Sequence, residues 1–299
     1  MARRRTGKKI DGWVVLDKPE GMTSAKAVER VRNGLEARKA GHTGTLDPMA
    51  TGVLPIALGE ATKLVSLLMD AGKDYAFTVC WGEARDTDDR DGEAIACSDS
   101  RPDAAAVEAA LPAFRGEIEQ VPPRYSAIKI GGERAYDIAR KGREVELSPR
   151  RVRVDELRLI THAADGSESR LLLRCGRGTY VRSIARDLGR ALGCYGYVAA
   201  LRRTRVGPFD EACAISLEKL DAIRHGAPAS SPVLEVATAL DDIPAVAVTD
   251  AEADRMRHGQ SLRLPTSKAG TLCIKCGGRP VAVAEILHGL AKPLRVLNV

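Results

Sequence analysis

Nowhere does the 299-residue chain approach the roughly 20 consecutive apolar residues that a membrane-spanning helix requires. A helical membrane protein is excluded, and a soluble one is expected. An apolar signal segment is also missing, and seven cysteines are an odd number, so reduced thiols and a cytoplasmic location are expected. Metal-binding signatures are equally sparse. Cys273 and Cys276 form a lone CxxC, and a structural zinc site would need two further ligands; His258 and His288 are single and distant in sequence. Core or strand cysteines are expected, with no metal. There is no internal repeat and no low-complexity tract. The apolar fraction of 44% is ordinary, and the length suits one large domain or a large one with a small one.

What the chain does have is segregated charge. Its formal net charge is +6, and five cations (Arg3, Arg4, Arg5, Lys8, Lys9) lie in the first nine residues, read as a basic flexible arm. Residues 124–153 carry nine Lys or Arg against four Asp or Glu, and residues 174–205 carry eight against one. The remainder is therefore net acidic. Such segregation fits a basic surface for a polyanion, with nucleic acid foremost.

The chain is organised around Gly41 to Gly52, GHTGTLDPMATG, where Gly41, Gly44, Pro48 and Gly52 rule out a long regular element. A loop is expected. Pro48 pushes Asp47 toward extended geometry, so a carboxylate stands on stiffened backbone among small side chains. That placement suits a nucleophile or base. No second acid stands beside it, whereas hydrolytic glycosidases use two carboxylates and admit water.

GHTGTLDPMATGVLP, followed by the helix-like GEATKLVSLL, closely resembles the active-site motif of the TruB family, bacterial tRNA pseudouridine synthases that isomerise uridine 55 of the T arm. The resemblance implies an α+β fold: a mixed, largely antiparallel sheet flanked by helices, plus a small C-terminal β-rich PUA-like domain. It implies a catalytic domain over residues 10–245, with a thumb-like insertion at about 124–153, and a PUA-like RNA-binding domain over 246–299. It also implies Asp47 as the catalytic residue.

Elsewhere, local pattern and resemblance run together. GWVVL reads as a buried strand, and DKPEGMTS as a turn in which Thr23 or Ser24 caps a helix with Val28, Val31 and Leu35 inward. The family's DKPxGxTS turn matches it, and Lys18 is expected to support the catalytic loop rather than to touch phosphate. Tyr75, Phe77, Val79 and Trp81 alternate as in a strand; the resemblance implies that Tyr75 stacks on the target uracil. RDTDDRDGEA fails as a calcium loop, because aligning Gly92 puts Thr87 and Ser98 at the acidic ligand positions. An acidic, solvated loop is expected there. Residues 103–115 read as helical, and Pro122-Pro123 breaks the chain before the basic insertion, with YDIARKG as a short helix. Residues 171–192 read as strand, turn and helix, with Ile184, Leu188 and Leu192 on one face. GTYVRSIARDLG resembles the family's GTYIRSLARDLG, which implies Tyr180 against the base and Arg182 paired with Asp47. Leu201 matches the position where an aliphatic chain packs on the uracil. After HGAPASSP a short strand pattern is expected, then a β-rich unit with a helix at Ala251 to Arg257 and strands near 271–275 and 281–286.

Forming pseudouridine means breaking the N1–C1′ bond, turning the uracil and rejoining it through C5, so the nucleotide must leave its stack. An ionised aspartate can add to the sugar or to the base, or stabilise or deprotonate a sugar-derived intermediate. His42 is expected against the RNA near the flipped nucleotide, the alternative being a histidine that caps local backbone. Neither cofactor nor metal is implied, and tRNA is the partner, bound by a monomer. A guide-RNA-dependent synthase would share the motif, but the long Lys/Glu-rich tail is missing and the insertion suggests a chain that grips its own substrate. A non-catalytic RNA-binding or RNA-folding protein would use the same basic surface without needing Asp47.

Overall fold

The computed structural model describes residues 7–126, 128–143, 147–224, 231–265 and 269–298. The chain forms two units, one from residues 1–47, 52–69 and 206–299, the other from 48–51 and 70–205.

In the first unit, strand Gly12–Lys18 runs antiparallel to Thr51–Leu58, from Gly12 opposite Leu58 to Lys18 opposite Gly52. Ala40–His42 adds a short pairing that sets His42 opposite Ile56. Seven of the eight residues of Thr51–Leu58 are buried, as a near-continuous apolar run predicts for a strand covered on both faces. Trp13 anchors this layer: its ring lies 5.4 Å from that of Phe209, and its indole N–H donates to the Val236 carbonyl at 3.3 Å. The helix Ser24–Gly34 starts where expected, with the Thr23 hydroxyl accepting the Lys26 N–H. Its inward face is Ser24, Ala27 and Val31, with Val28 and Leu35 only half-buried, because the 100° step from Val31 favours Ala27 over its neighbour. Residues 1–6 of the basic arm lie outside the described residues. Lys8 forms a β-bridge with Ala37 and an ion pair with Glu36.

The same unit holds the C-terminal β-rich unit. Its sheet order is Ala245–Ala247, Gly270–Cys276, Arg279–Leu287, Leu290–Val296 and Leu262–Arg263, the first pair parallel. The helix Asp250–Arg257 is fixed by a reciprocal capping box of Thr249 and Glu252. It packs Ala253 and Met256 onto Leu272, Ile274, Val281 and Ile286. The strand pattern expected before this unit is replaced by a 3-10 turn over Val236–Leu240, with only Leu234 bridged to Trp13. A short apolar run does not by itself distinguish strand from helix. Most of the HGAPASSP stretch lies outside the described residues.

The second unit holds sheet strands in the order Gly196–Val206, Lys73–Trp81, Glu168–Cys175, Arg150–His162 and Gly116–Gln120, part of a nine-stranded sheet; the last three pairings are antiparallel. Alternation along Lys73–Trp81 buries Phe77, Val79 and Trp81, as the period-two pattern predicts. The helix Val181–Ala191 buries Ile184, Ala185 and Leu188, and it approaches the strand after it closely. A Cβ on Gly189 would lie 2.5 Å from the backbone nitrogen of Gly196, so glycine is required there. Residues 103–114 form the expected helix Ala104–Ala110, capped by Asp103, and a 3-10 turn. YDIARKG contributes the short helix Ala135–Arg140.

Candidate active site

The loop around Asp47 is pinned on its approach. Gly41 and His42 belong to a short strand and Thr51 and Gly52 to the next, so the irregular segment is shorter than glycine content alone suggests. The Thr43 N–H donates to the Pro55 carbonyl at 3.2 Å. Gly44 has a φ of 143°, open in practice only to glycine, and its N–H donates to His42 Nδ1 at 3.3 Å. His42 therefore does cap local backbone, and its Nδ1 accepts. The Leu46 N–H donates to Ser24 Oγ at 2.8 Å, and the Ser24 hydroxyl donates to the Leu46 carbonyl at 3.0 Å. Asp47 follows, half-buried, ahead of the turn at Pro48-Met49. Beyond it, Arg202 donates to the Thr51 hydroxyl at 3.4 Å.

Lys18 has no route to phosphate. It is fully buried, and its ammonium donates to the carbonyls of Pro19 at 2.9 Å and Met22 at 2.7 Å, closing the turn that leads into the Thr23 cap. Its observed part is to close that turn.

Tyr75, Tyr180, Arg182 and Leu201 belong to the second unit. Tyr75 is half-buried on Lys73–Trp81, opposite Leu173, and Leu201 is buried in Gly196–Val206. Tyr180 sits at the N-cap of Val181–Ala191, where its hydroxyphenyl side chain supplies no cap. Gln120 holds it instead: its carbonyl oxygen accepts the Tyr180 N–H at 2.8 Å, and its amide donates to the Tyr180 carbonyl at 3.1 Å. Two bonds from one buried amide fix the residue's backbone.

Arg182 is buried in the first turn of that helix, which disposes of a simple surface arginine. One terminal nitrogen donates to the Thr87 carbonyl at 2.9 Å and lies 3.5 Å from a carboxylate oxygen of Asp89; the other donates to the Tyr125 carbonyl at 2.9 Å. Asp89 is itself tied down, accepting from the Thr87 hydroxyl at 2.7 Å and the Asp91 N–H at 3.1 Å. One helical turn on, Arg186 pairs with Asp88 at 3.0 Å and donates to the Val121 carbonyl at 2.7 Å. Burial pushes the Asp88 carboxyl above its ordinary range, against the opposing pull of Arg186 and Arg182.

The acidic turn is thus a correction. Expected as a solvated loop, it carries two largely buried carboxylates that receive two arginines from the helix. A signal was present: Arg182 and Arg186 lie four apart on one helical face, and a buried guanidinium demands acceptors. Ser24 and Gln120 gave no such signal, because a serine or glutamine that binds a distant backbone looks like any other.

Near the start of the same strand as Tyr75, Lys73 is buried with its ammonium donating to the Ala71 carbonyl at 2.6 Å. Burial, reinforced by the like charge of Arg203, lowers its pKa to about 8. Cys175, paired with Lys73 across the strands, is pushed up to about 12 by burial. Among the described residues, no group of three or more His, Cys, Asp or Glu side chains could hold a metal ion. Cys273 is buried in a strand, and Cys276 donates to Asp250 at 3.0 Å. No helix of the described residues is long and apolar enough to cross a membrane.

Residues 32–181 match the family model of the TruB family pseudouridylate synthase N-terminal domain, and residues 182–242 match that of the tRNA pseudouridylate synthase B C-terminal domain. The chain belongs to the TruB family. Among TruB relatives, tRNA pseudouridine synthase B of Rhodopseudomonas palustris is 54% identical, across 99% of this chain and 83% of its own length. The protein of the same name from Caulobacter vibrioides is 51% identical, across 100% and 99%. That of Rhodospirillum rubrum is 50% identical over the whole of both chains. Two solved structures share the TruB-type fold at low identity. A Cbf5-Nop10-Gar1 complex matches with a TM-score of 0.75 at 24% identity, covering 96% of this chain and 84% of that one. An H/ACA RNP bound to a substrate RNA containing 2′-deoxyuridine matches with a TM-score of 0.75 at 23%, covering 100% and 92%. As a member of this family the chain is an isomerase, a pseudouridine synthase of α+β fold.

Proposed function

We propose that this chain converts uridine to pseudouridine at position 55 in the T arm of tRNA, working without guide RNA, cofactor or metal, as a cytoplasmic monomer. The observation that carries the reading is the full-length likeness to relatives named tRNA pseudouridine synthase B; beside it, this chain has a carboxylate on a pinned glycine-rich loop. Asp47 is the catalytic carboxylate. It acts on the flipped nucleotide while the N1–C1′ bond breaks; the uracil turns, C5 joins C1′, C5 loses its proton to solvent and N1 takes one up. Asp47 adds to the sugar or the base, or serves a sugar-derived intermediate.

Arg182 pairs with Asp47 and favours its ionised form. The support is its burial on fixed acceptors at Thr87, Asp89 and Tyr125, which leaves its guanidinium little freedom to stray. Tyr75, Tyr180 and Leu201 form the uracil pocket, and His42 contacts the RNA beside the flipped nucleotide. Residues 124–153 act as a thumb closing over the T stem-loop, and residues 246–299 as a PUA-like RNA-binding domain behind the catalytic domain of 10–245. Extrusion costs on the order of a few kcal/mol, which basic contacts to the backbone offset.

The test is tritium release from a tRNA transcript labelled at uridine C5. Wild type is expected to release tritium, and Asp47→Asn to release none while still binding tRNA. Release by Asp47→Asn at the wild-type rate would remove Asp47 from the chemistry. A folded wild type that binds without release would point to a guided enzyme or an RNA-folding protein.

A further inference from the structure

We infer that Ser24 is a positioning residue for Asp47. The inference rests on the reading of Asp47 as the catalytic carboxylate.

The geometry is specific to the residue before the aspartate. One Ser24 oxygen accepts the Leu46 N–H at 2.8 Å and donates its own proton to the Leu46 carbonyl at 3.0 Å. A hydroxyl carries one donor and two acceptor sites, so it can serve both ends of one residue, as a partner strand would. Leu46 lies in no strand or helix and needs that service. Ser24 is 3% exposed and so is Leu46, so bulk water cannot take the hydroxyl's place. The Leu46 carbonyl belongs to the peptide unit that ends at the Asp47 nitrogen, and Pro48 stiffens the far side. Asp47 is thereby fixed from both directions.

What carries the hydroxyl is rigid. Ser24 is the first residue of the helix Ser24–Gly34, which is seated by buried Ala27 and Val31. The turn before the Thr23 cap is closed by buried Lys18. Thr43 is bonded separately to Pro55, and the Ser24 anchor adjoins the carboxylate. A catalytic side chain must be held to within about 0.5 Å of its productive place. The two bonds to Ser24 supply that constraint on Leu46, and through it on Asp47.

The experiment compares Ser24→Ala, Thr23→Ala and Asp47→Asn in the full chain, using an unmodified tRNA transcript. It reads single-turnover rate at saturating enzyme, tRNA dissociation constant and thermal melting. Ser24→Ala, folded at the assay temperature, is expected to slow the single-turnover rate about 10- to 100-fold. Its tRNA affinity should stay within about twofold of wild type, since only a geometric fault is introduced. Thr23→Ala removes the neighbouring cap without touching Leu46, and is expected to lower the melting temperature while leaving the rate within about twofold. If Ser24→Ala fails to fold, Ser24→Cys, which keeps the volume with a weaker hydrogen-bonding group, decides by the same rate criterion.

A folded Ser24 variant at the wild-type rate overturns the inference. So does a Thr23→Ala rate loss equal to that of Ser24→Ala at similar stability, because the effect would then be helix stability alone. Asp47→Asn distinguishes the two failures: its activity sinks the underlying reading, whereas its inactivity beside a fast Ser24→Ala sinks only the role of Ser24.

Discussion

Arg182 and Asp89 lie 3.5 Å apart, with side chains only 5% and 6% exposed. Their 93-residue separation is closed where the turn meets the strand Gly196–Val206: Val198 donates to the Asp88 carbonyl at 3.1 Å, and Arg90 donates to the Val198 carbonyl at 3.0 Å. The turn is thus hydrogen-bonded to that strand, and it presents Asp89 from a fixed frame. Removing one partner of such a pair leaves a charge that water cannot reach.

Asp89→Asn is therefore expected to lower stability by about 3 kcal/mol and to slow single-turnover isomerisation at least tenfold, since the guanidinium loses a fixed counter-charge. Urea unfolding and stopped-time tritium release check the two effects. Unchanged stability would mean that Arg182 is held without the Asp89 charge.

Lys73 makes a prediction in alkali. Its folded pKa of about 8 lies below the ordinary 10.5, so the unfolded chain binds more protons between those values and stability rises with pH there. Cys175 works the opposite way at higher pH, because its thiol ionises only near 12 when folded. Subtracting a Lys73→Met variant isolates the lysine. From pH 7.5 to 9.5 wild type should gain roughly 1 to 2 kcal/mol on that variant by urea unfolding. A flat difference would show that the ammonium is not destabilised by its surroundings.

Residues 296–298 are clipped to the turn that follows the strand Thr51–Leu58. Glu60 pairs with Lys63 at 2.8 Å and accepts the Asn298 N–H at 2.9 Å, and Lys63 donates to the Val296 carbonyl at 2.9 Å. Burial pushes the Glu60 carboxyl up, but the bonds from Lys63 and Asn298 outweigh it and hold it below its ordinary range. A depressed folded pKa contributes stability above the ordinary glutamate range, lost as pH falls through the folded value. Glu60→Gln should cost under about 1 kcal/mol at neutral pH, as half-exposed pairs do, and should speed hydrogen exchange at the Asn298 amide several-fold. Unchanged exchange there would mean that the clip does not hold the terminus.

These sites differ in how plainly the sequence announced them. The Gly41–Gly52 loop, the Thr23 cap and the strand through Tyr75 follow from local rules: glycine and proline punctuation, a capping side chain and period-two alternation. Burial of Asp88 and Asp89 does not, because a run of acids reads as solvent-facing until the arginines that reach it are placed. Ser24 and Leu46 are 22 residues apart, and a hydroxyl that replaces a strand partner has no periodic signature. The Val236–Leu240 turn was illegible for the opposite reason, since its apolar run fits either element. Family likeness supplied roles for Asp47, Arg182 and Tyr180, but not the Gln120 clamp on Tyr180.

Mapping the product position tests the central claim most directly. An unmodified tRNA transcript is incubated with wild type or Asp47→Asn, treated with a carbodiimide that marks pseudouridine, and read by primer extension. A new stop reporting position 55 with wild type alone, at substoichiometric enzyme and without added RNA or metal, is the predicted result. A stop elsewhere, no stop from a folded protein that binds the transcript, or the same stop with Asp47→Asn would contradict it.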